Sequence, residues 1–324
     1  MKQSLMLPVK PDIRWKLAAQ LGVKYAVTKA APELSGLADP SEFSALEIVR
    51  DRFAEAGFTL YALEGDEFDM SRIKLGLPGR NGDIDRYCRM LANMGKLGIR
   101  ILCFNFMAGV GWFRSRTDLS ERGGALTSGF DLAEVDDDVP LKITEDELWE
   151  NLFYFLRAVV PAAAEAGVKL AMHPDDPPVS PLLGYSRILT SAAAYRRVLA
   201  EIDDPALGVT FCQATFRAMG EDVPALMEEF GKRLYFFHFR DVEGTREKFR
   251  ETFHDNGPTD MPRLIEKLYD CAPECLIRPD HTPTMAGESN AEFGYTMQGN
   301  LFATGYLRGM IETIESKRKA KGIE

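Results

Sequence analysis

Eight short apolar runs recur along the chain, separated by segments with helical periodicity. The runs lie at residues 5–9 (LMLPV), 23–28 (VKYAVT), 58–64 (FTLYALE), 99–106 (IRILCFNF), 168–173 (VKLAMH), 208–212 (GVTFC), 234–239 (LYFFHF) and 274–280 (ECLIRPD). They are rich in branched and aromatic residues and largely continuous in hydrophobicity, as strands covered on both faces should be. Thr144 and Glu147 are spaced as a capping box ahead of LWENLFYFLRAVVPAAAEA, and Gly167 is placed to stop that helix. Near the end, Phe302, Tyr306, Met310 and Ile314 recur every four residues and predict an apolar helical face. Alternating strands and helices imply a parallel sheet, and eight units imply closure. The predicted fold is therefore α/β, a (β/α)8 TIM barrel forming one domain over residues 1–324.

One connection breaks the rhythm. Residues 107–143, after the fourth strand, hold GVGWFRSRTDLSERGGALTSG and an acidic DLAEVDDDVP. A connection of this length predicts a loop insertion without regular structure, either a lid over a substrate or a surface excursion.

In a parallel barrel the C-terminal strand ends open on one face, where active sites are built. Four strand-like runs end in metal-capable side chains: His173, Cys212, His238 and Asp280, spaced by 39, 26 and 42 residues. Each interval is about one strand-helix-strand repeat, so the four side chains should converge. Imidazole, thiolate and carboxylate together suit a divalent transition metal. His281 follows Asp280 directly and is read as a general acid or base for whatever the metal binds, or else as a hydrogen-bonded structural histidine. Arg240 lies two residues beyond His238, on the same side of the strand, where it could clamp a carboxylate. His254 sits in a loop signal, HDNG, from which it could reach the pocket. Asn105 is either a hydroxyl contact or a strand-end cap. The abrupt HPDDPP turn (173–178) is explained mostly by proline and aspartate turn chemistry, with contacts orienting His173 as an addition.

Composition narrows the function further. A formal charge of −10, from 39 basic and 49 acidic residues, argues against nucleic acid or an anionic membrane surface as partner. Five cysteines without a CxxC pair fit no closed disulfide framework. The opening MKQSLMLPVKPD lacks a signal-peptide core, and no apolar run approaches about 18 residues, so a reducing cytoplasm is the expected compartment.

The stretches MHPDDPP (172–178), HFRDV (238–242), HDNGPTDM (254–261), IRPDH (277–281), FGY (293–295) and GNLFATGYLRGM (299–310) resemble D-mannonate dehydratases. The resemblance is dense from residue 168 onward; in the first half CFNF (103–106) is its main trace. It implies a xylose-isomerase-like barrel that dehydrates D-mannonate to 2-keto-3-deoxy-D-gluconate. It also implies one Mn²⁺ or Fe²⁺ ion held by His173, Cys212, His238 and Asp280, and an acid/base pair at His281 and Tyr295. In that pair Tyr295 is favoured as base and His281 as acid, which requires the tyrosine's ordinary pKa of about 10 to be lowered by a nearby cation. Barrels of this kind often pair, so a homodimer is a further expectation. Where the family has Thr-Gly-Ser after the metal cysteine, this chain has Gln213-Ala214-Thr215, and Thr282-Pro283-Thr284-Met285 also departs from the pattern. Two other readings stand beside a sugar-acid dehydratase: a divalent-metal isomerase or epimerase on the same barrel, and a non-catalytic sugar-acid binding protein.

Overall fold

The computed structural model describes residues 1–136 and 138–322. Among the described residues the strands are β1 (Lys2–Met6), β2 (Tyr25–Thr28), β3 (Thr59–Glu64), β4 (Ile101–Phe104), β5 (Arg116–Ser120), β6 (Leu126–Asp131), β7 (Lys169–Met172), β8 (Leu207–Cys212), β9 (Leu234–Phe239), β10 (Val242–Gly244), β11 (Lys248–Glu251) and β12 (Leu276–Pro279). Eight of them close a parallel barrel in the order β1-β12-β9-β8-β7-β4-β3-β2. Seven of the eight apolar runs overlap their strands almost throughout; the first is displaced toward the terminus. Pro8 has no N–H to offer a ladder, so pairing stops near Leu7, while Leu7 and Val9 stay buried beyond the strand.

The helix Glu145–Ala166 begins on the capping box read from the sequence, with Thr144 and Glu147 satisfying each other's backbone N–H groups, and it ends at Gly167 with φ 67°. The last helix, Met297–Ala320, buries Ala303, Leu307, Met310, Ile311 and Ile314. Phe302 and Tyr306 are only partly buried, because a strict four-residue period drifts around a helix that turns every 3.6 residues. Among the described residues no helix is long and apolar enough to cross a membrane. All five cysteines are free.

The 107–143 connection is not structureless. It contributes β5 and β6 to a four-stranded antiparallel sheet, ordered β10-β11-β6-β5, whose other strands follow β9. Asp137, within the acidic part of that connection, lies outside the described residues. The sheet rests on Phe130, Val179, Leu182, Ala214, Val242 and Phe249, at the end of the barrel where β8 and β9 finish. Gly129 on β6 pairs with Arg116 of β5 and Arg250 of β11, and a Cβ there would strike Leu119 and the backbone oxygen of Phe249. Leu126 and Thr284 exchange backbone hydrogen bonds at 2.8 and 3.0 Å, tying β6 to the loop that follows β12.

Inside the barrel, Val27, Ala62, Ile101, Ala171, Phe236 and Leu276 pack into one apolar layer. Side chains on a strand return to the same face every second residue. One rung higher, the same strands therefore present Glu64, Cys103, His173, His238 and Arg278 to the axis. The apolar layer is the floor of the site, and its next rung is the chemistry.

Candidate metal centre and active site

Register aligns the heart of this rung. Cys212 on β8 pairs with His238 on β9, and His238 pairs with Arg278 on β12. His173 follows the last residue of β7, and donor atoms of His173, Cys212 and His238 all lie within 4.8 Å of one another. Asp280 joins them through Oδ2, 3.5 Å from His238 Nδ1. The four strand-end residues do converge.

The surroundings prepare these groups differently. His173 Nδ1 donates to the Pro174 carbonyl at 2.7 Å, which leaves its Nε2 free as a ligand atom. The Cys212 sulfur accepts from the Thr215 hydroxyl at 3.2 Å, and that hydroxyl accepts from Arg240 at 2.9 Å. Thr215, a departure from the family tract, thus links the thiol to a guanidinium. Neither ring nitrogen of His238 has a hydrogen-bond partner, although the residue is 1% exposed. A buried imidazole left unsatisfied at both nitrogens is costly unless something else occupies it, and this is the observation that fits the four residues to a metal ion. Burial would push the Asp280 carboxyl up, but His281, Arg278, His238 and Arg240 outweigh it and hold it well below the usual carboxylate range. It is an anion, ready to ligate.

Beside the donors runs a buried lattice of charges. Arg240 donates to Glu251 at 2.9 Å and to Asp176 at 2.6 Å, and its Nε lies 2.9 Å from Asp280. Arg114, from the connection after β4, donates to Asp176 at 2.6 and 2.9 Å and to Glu251 at 2.6 Å. Arg240 as a clamp for a substrate carboxylate therefore gives way to a structural role, since the protein's own acids already take its donors. Asp176 likewise does more than make a turn. His254 does not line the cavity either: Nε2 contacts the Phe239 carbonyl at 2.7 Å and the ring packs on Phe239. Asn105 does line it, and its Oδ1 accepts from Lys74 Nζ at 2.9 Å and from Met107 N at 3.1 Å. It caps the strand end and fixes an ammonium in the wall, where Lys74 also meets Asp66 at 2.7 Å.

The acid/base candidates sit together. His281 Nδ1 lies 3.0 Å from Glu251 Oε1, and Nε2 lies 3.2 Å from the Tyr295 hydroxyl. The Glu251 carboxylate accepts from Nδ1, and Nε2 faces the phenol with Asp280 Oδ1 3.6 Å away. Burial pushes the Tyr295 phenol far above its ordinary value, and Asp280 adds to the shift; Arg278 and Arg240 do not outweigh them. Trp112 packs tilted against His281 with ring centroids 4.5 Å apart, stacks on Phe293 and meets Tyr295 edge-on. Its loop is fixed by Arg187, which donates to the carbonyls of Val110 and Gly111 at 2.9 and 2.7 Å. These walls enclose a cavity of about 700 Å³ that reaches His173, His238, Asp280, His281 and Tyr295.

Glu64, Trp112, Glu251 and Arg278 have no place in the sequence reading of the site, which gives Asp176 only a turn and contacts that orient His173. Glu64 carried a usable signal, since it ends the third apolar run.

The comparisons with known proteins bear on this geometry. The model of the D-mannonate dehydratase (UxuA) family matches residues 20–145 and 138–321. The chain belongs to that family. As a D-mannonate dehydratase family member it is a hydro-lyase. A mannonate dehydratase of Endomicrobium trichonymphae is 31% identical over 78% of this chain and 80% of its own length. One of Enterococcus faecalis is 29% identical over 97% and 100%. The crystal structure of mannonate dehydratase from Streptococcus suis serotype 2 superposes with a TM-score of 0.88 at 29% identity, covering 99% of this chain and 96% of that one. Sugar epimerases share the fold alone: 3-keto-D-glucoside 4-epimerase from E. coli gives a TM-score of 0.63 at 14% identity.

Two stability predictions arise here. Arg114→Ala leaves Asp176 and Glu251 buried with one guanidinium fewer, and breaking such a pair costs about 3–5 kcal/mol. Urea unfolding should show that loss. Acid should also destabilise the fold in two steps. Burial pushes the His254 imidazole down to about 4 from 6.5, so the unfolded chain takes up a proton below 6.5 that the native one resists. Stability then falls as pH drops from 6.5 to 4, by on the order of 3 kcal/mol. Burial raises Glu251, but Arg240, Arg114 and His281 hold it down to about 2 against an ordinary 4.5, so its contribution is complete above 4.5 and lost toward 2. Thermal midpoints at pH 7, 5.5, 4 and 3 should trace both steps, and His254→Gln should remove the upper one.

Proposed function

We propose that this family member is a divalent-metal-dependent dehydratase that converts D-mannonate to 2-keto-3-deoxy-D-gluconate and water. The carrying observation is the convergence of His173, Cys212, His238 and Asp280 one rung above an apolar floor, with His238 unsatisfied at both nitrogens. We assign these four as the ligands of one Mn²⁺ or Fe²⁺ ion. The C2 proton of an aldonate is weakly acidic because the adjacent carboxylate is already anionic. A bound divalent ion supplies charge neutralisation at that carboxylate and the 2-hydroxyl.

The chain's own residues do the rest. The Nε2 lone pair of His281, held by Glu251 at the opposite nitrogen, accepts the C2 proton. Tyr295, kept neutral by burial, donates its proton to the departing 3-hydroxyl. This order differs from the one favoured from sequence, and what supports it is burial, which raises the phenol where a base would need it lowered. The contact between the two side chains then returns the proton from His281 to Tyr295 and resets the pair. Trp112 covers the imidazole and excludes water from it. Asn105 and Lys74 offer polar contacts to the hydroxyls of the sugar chain.

The test is turnover after chelation and reloading with Mn²⁺ under reducing conditions, with D-mannonate offered and 2-keto-3-deoxy-gluconate assayed. Metal-dependent product supports the reading. A metal-loaded protein that forms no keto-deoxy acid from D-mannonate overturns it.

A further inference from the structure

We infer that Glu64 is a positioning residue for the metal centre: it receives the Nε2 proton of His238 and thereby commits Nδ1 of that ring to the ion. The inference rests on the metal reading above and adds a residue to which nothing so far gives a role. A histidine ligand must present one nitrogen as a lone pair, and the partner of the other nitrogen decides which. For His173 the Pro174 carbonyl makes that decision in favour of Nε2. His238 has no hydrogen-bond partner, and a carboxylate faces each of its nitrogens. Asp280 Oδ2 lies 3.5 Å from Nδ1, and Glu64 Oε1 lies 3.4 Å from Nε2.

These two acids are not equivalent. Two ligands each about 2.1 Å from one tetrahedral ion are about 3.4 Å apart, which is the spacing between Nδ1 and Asp280. Asp280 also follows β12 at the open end of the barrel, near Cys212 and His173. Glu64 sits on the opposite side of the imidazole, and Arg278 engages both of its oxygens at 2.5 and 2.9 Å. Guanidiniums reach both acids, Asp280 lying 2.9 Å from Arg240 and from Arg278, so position rather than pairing separates them, and Glu64 still accepts an N–H on its remaining lone pairs. The pair is built for this: Arg278 stands in register with His238 on the neighbouring strand and carries Glu64 across the barrel to the ring.

Glu64, Cys103 and His238 also form a second donor cluster within 4.8 Å. It shares His238 with the first, and on this reading it holds no ion of its own. Its carboxylate orients the shared ligand.

The test has two arms with readouts other than activity. In the first, the wild-type protein is loaded with Zn²⁺ as a diamagnetic probe, its metal content is measured, and the ring nitrogens of its four histidines are followed by long-range ¹H–¹⁵N spectra. One equivalent of zinc is expected, with His238 bound through Nδ1 and protonated at Nε2. In the second, chelator competition compares Glu64→Ala and Glu64→Gln with wild type. The alanine should weaken binding about 10–100-fold and the glutamine, which keeps an acceptor, should restore part of it. Zinc on Nε2 of His238, a second equivalent of metal, or wild-type affinity in Glu64→Ala would overturn the inference and leave the dehydratase reading intact. A wild-type protein that takes up no metal would instead sink the metal reading itself. If Glu64→Ala does not fold, the wild-type spectra still decide.

Discussion

His281→Ala and Tyr295→Phe should each lower kcat for keto-deoxy acid formation by about 10²- to 10⁴-fold, the usual contribution of one general acid or base. Metal content should stay at the wild-type level in both, because neither side chain belongs to the donor cluster. The two lesions should differ in kind. Removing the imidazole removes the proton acceptor and leaves a gap under Trp112, so exchange of the C2 proton with solvent should vanish along with dehydration. Removing only the phenol oxygen keeps the acceptor in place, so Tyr295→Phe should still exchange that proton while failing to expel the hydroxyl. Deuterium incorporation into recovered substrate separates the two. Exchange abolished in Tyr295→Phe but retained in His281→Ala would restore the order favoured from sequence, with the tyrosine as base. The double variant should lose little more than either single one, because the two groups act as one hydrogen-bonded unit.

Much of this was legible because parallel barrel strands are buried on both faces and therefore stand out as apolar runs. The strand ends then located His173, Cys212, His238 and Asp280 without any long-range information. What stayed hidden has a common cause. The strands β5, β6 and β11 read RTDLS, LTSGFD and KFRE, half-polar segments whose pairing is decided by partners far along the chain. Glu64 and Arg278 are 214 residues apart, and the meaning of each depends on the other. Arg240 shows the same limit from the other side. Its position two residues after His238 correctly aims it at the site, but only the fold reveals Asp176 and Glu251 waiting to take its donors. Local pattern gives direction along a strand; which charges meet is settled by topology.

That topology makes Asp280, the carboxylate we assign to the ion, the most consequential single position. Four carboxylates, the partly buried Glu64 and the buried Asp176, Glu251 and Asp280, face three buried arginines, Arg114, Arg240 and Arg278. The lattice carries one negative charge in excess before Cys212 ionises, and the proposed divalent cation would complement it. Asp280→Asn removes a ligand and the excess together. Turnover should fall to background, and one-equivalent metal binding should be lost in a chelator competition. The clearest readout is thermal. A ligand present at about 1,000 times its Kd stabilises the native state by about 4 kcal/mol, so Mn²⁺ should raise the wild-type midpoint and chelation should lower it again. In Asp280→Asn the midpoint should ignore both. The metal-free variant should nonetheless remain folded, since Arg278 keeps Glu64 and Arg240 keeps Glu251 and Asp176. A variant whose midpoint still responds to Mn²⁺ as wild type does would show that the ion sits elsewhere, and would remove Asp280 from the ligand set.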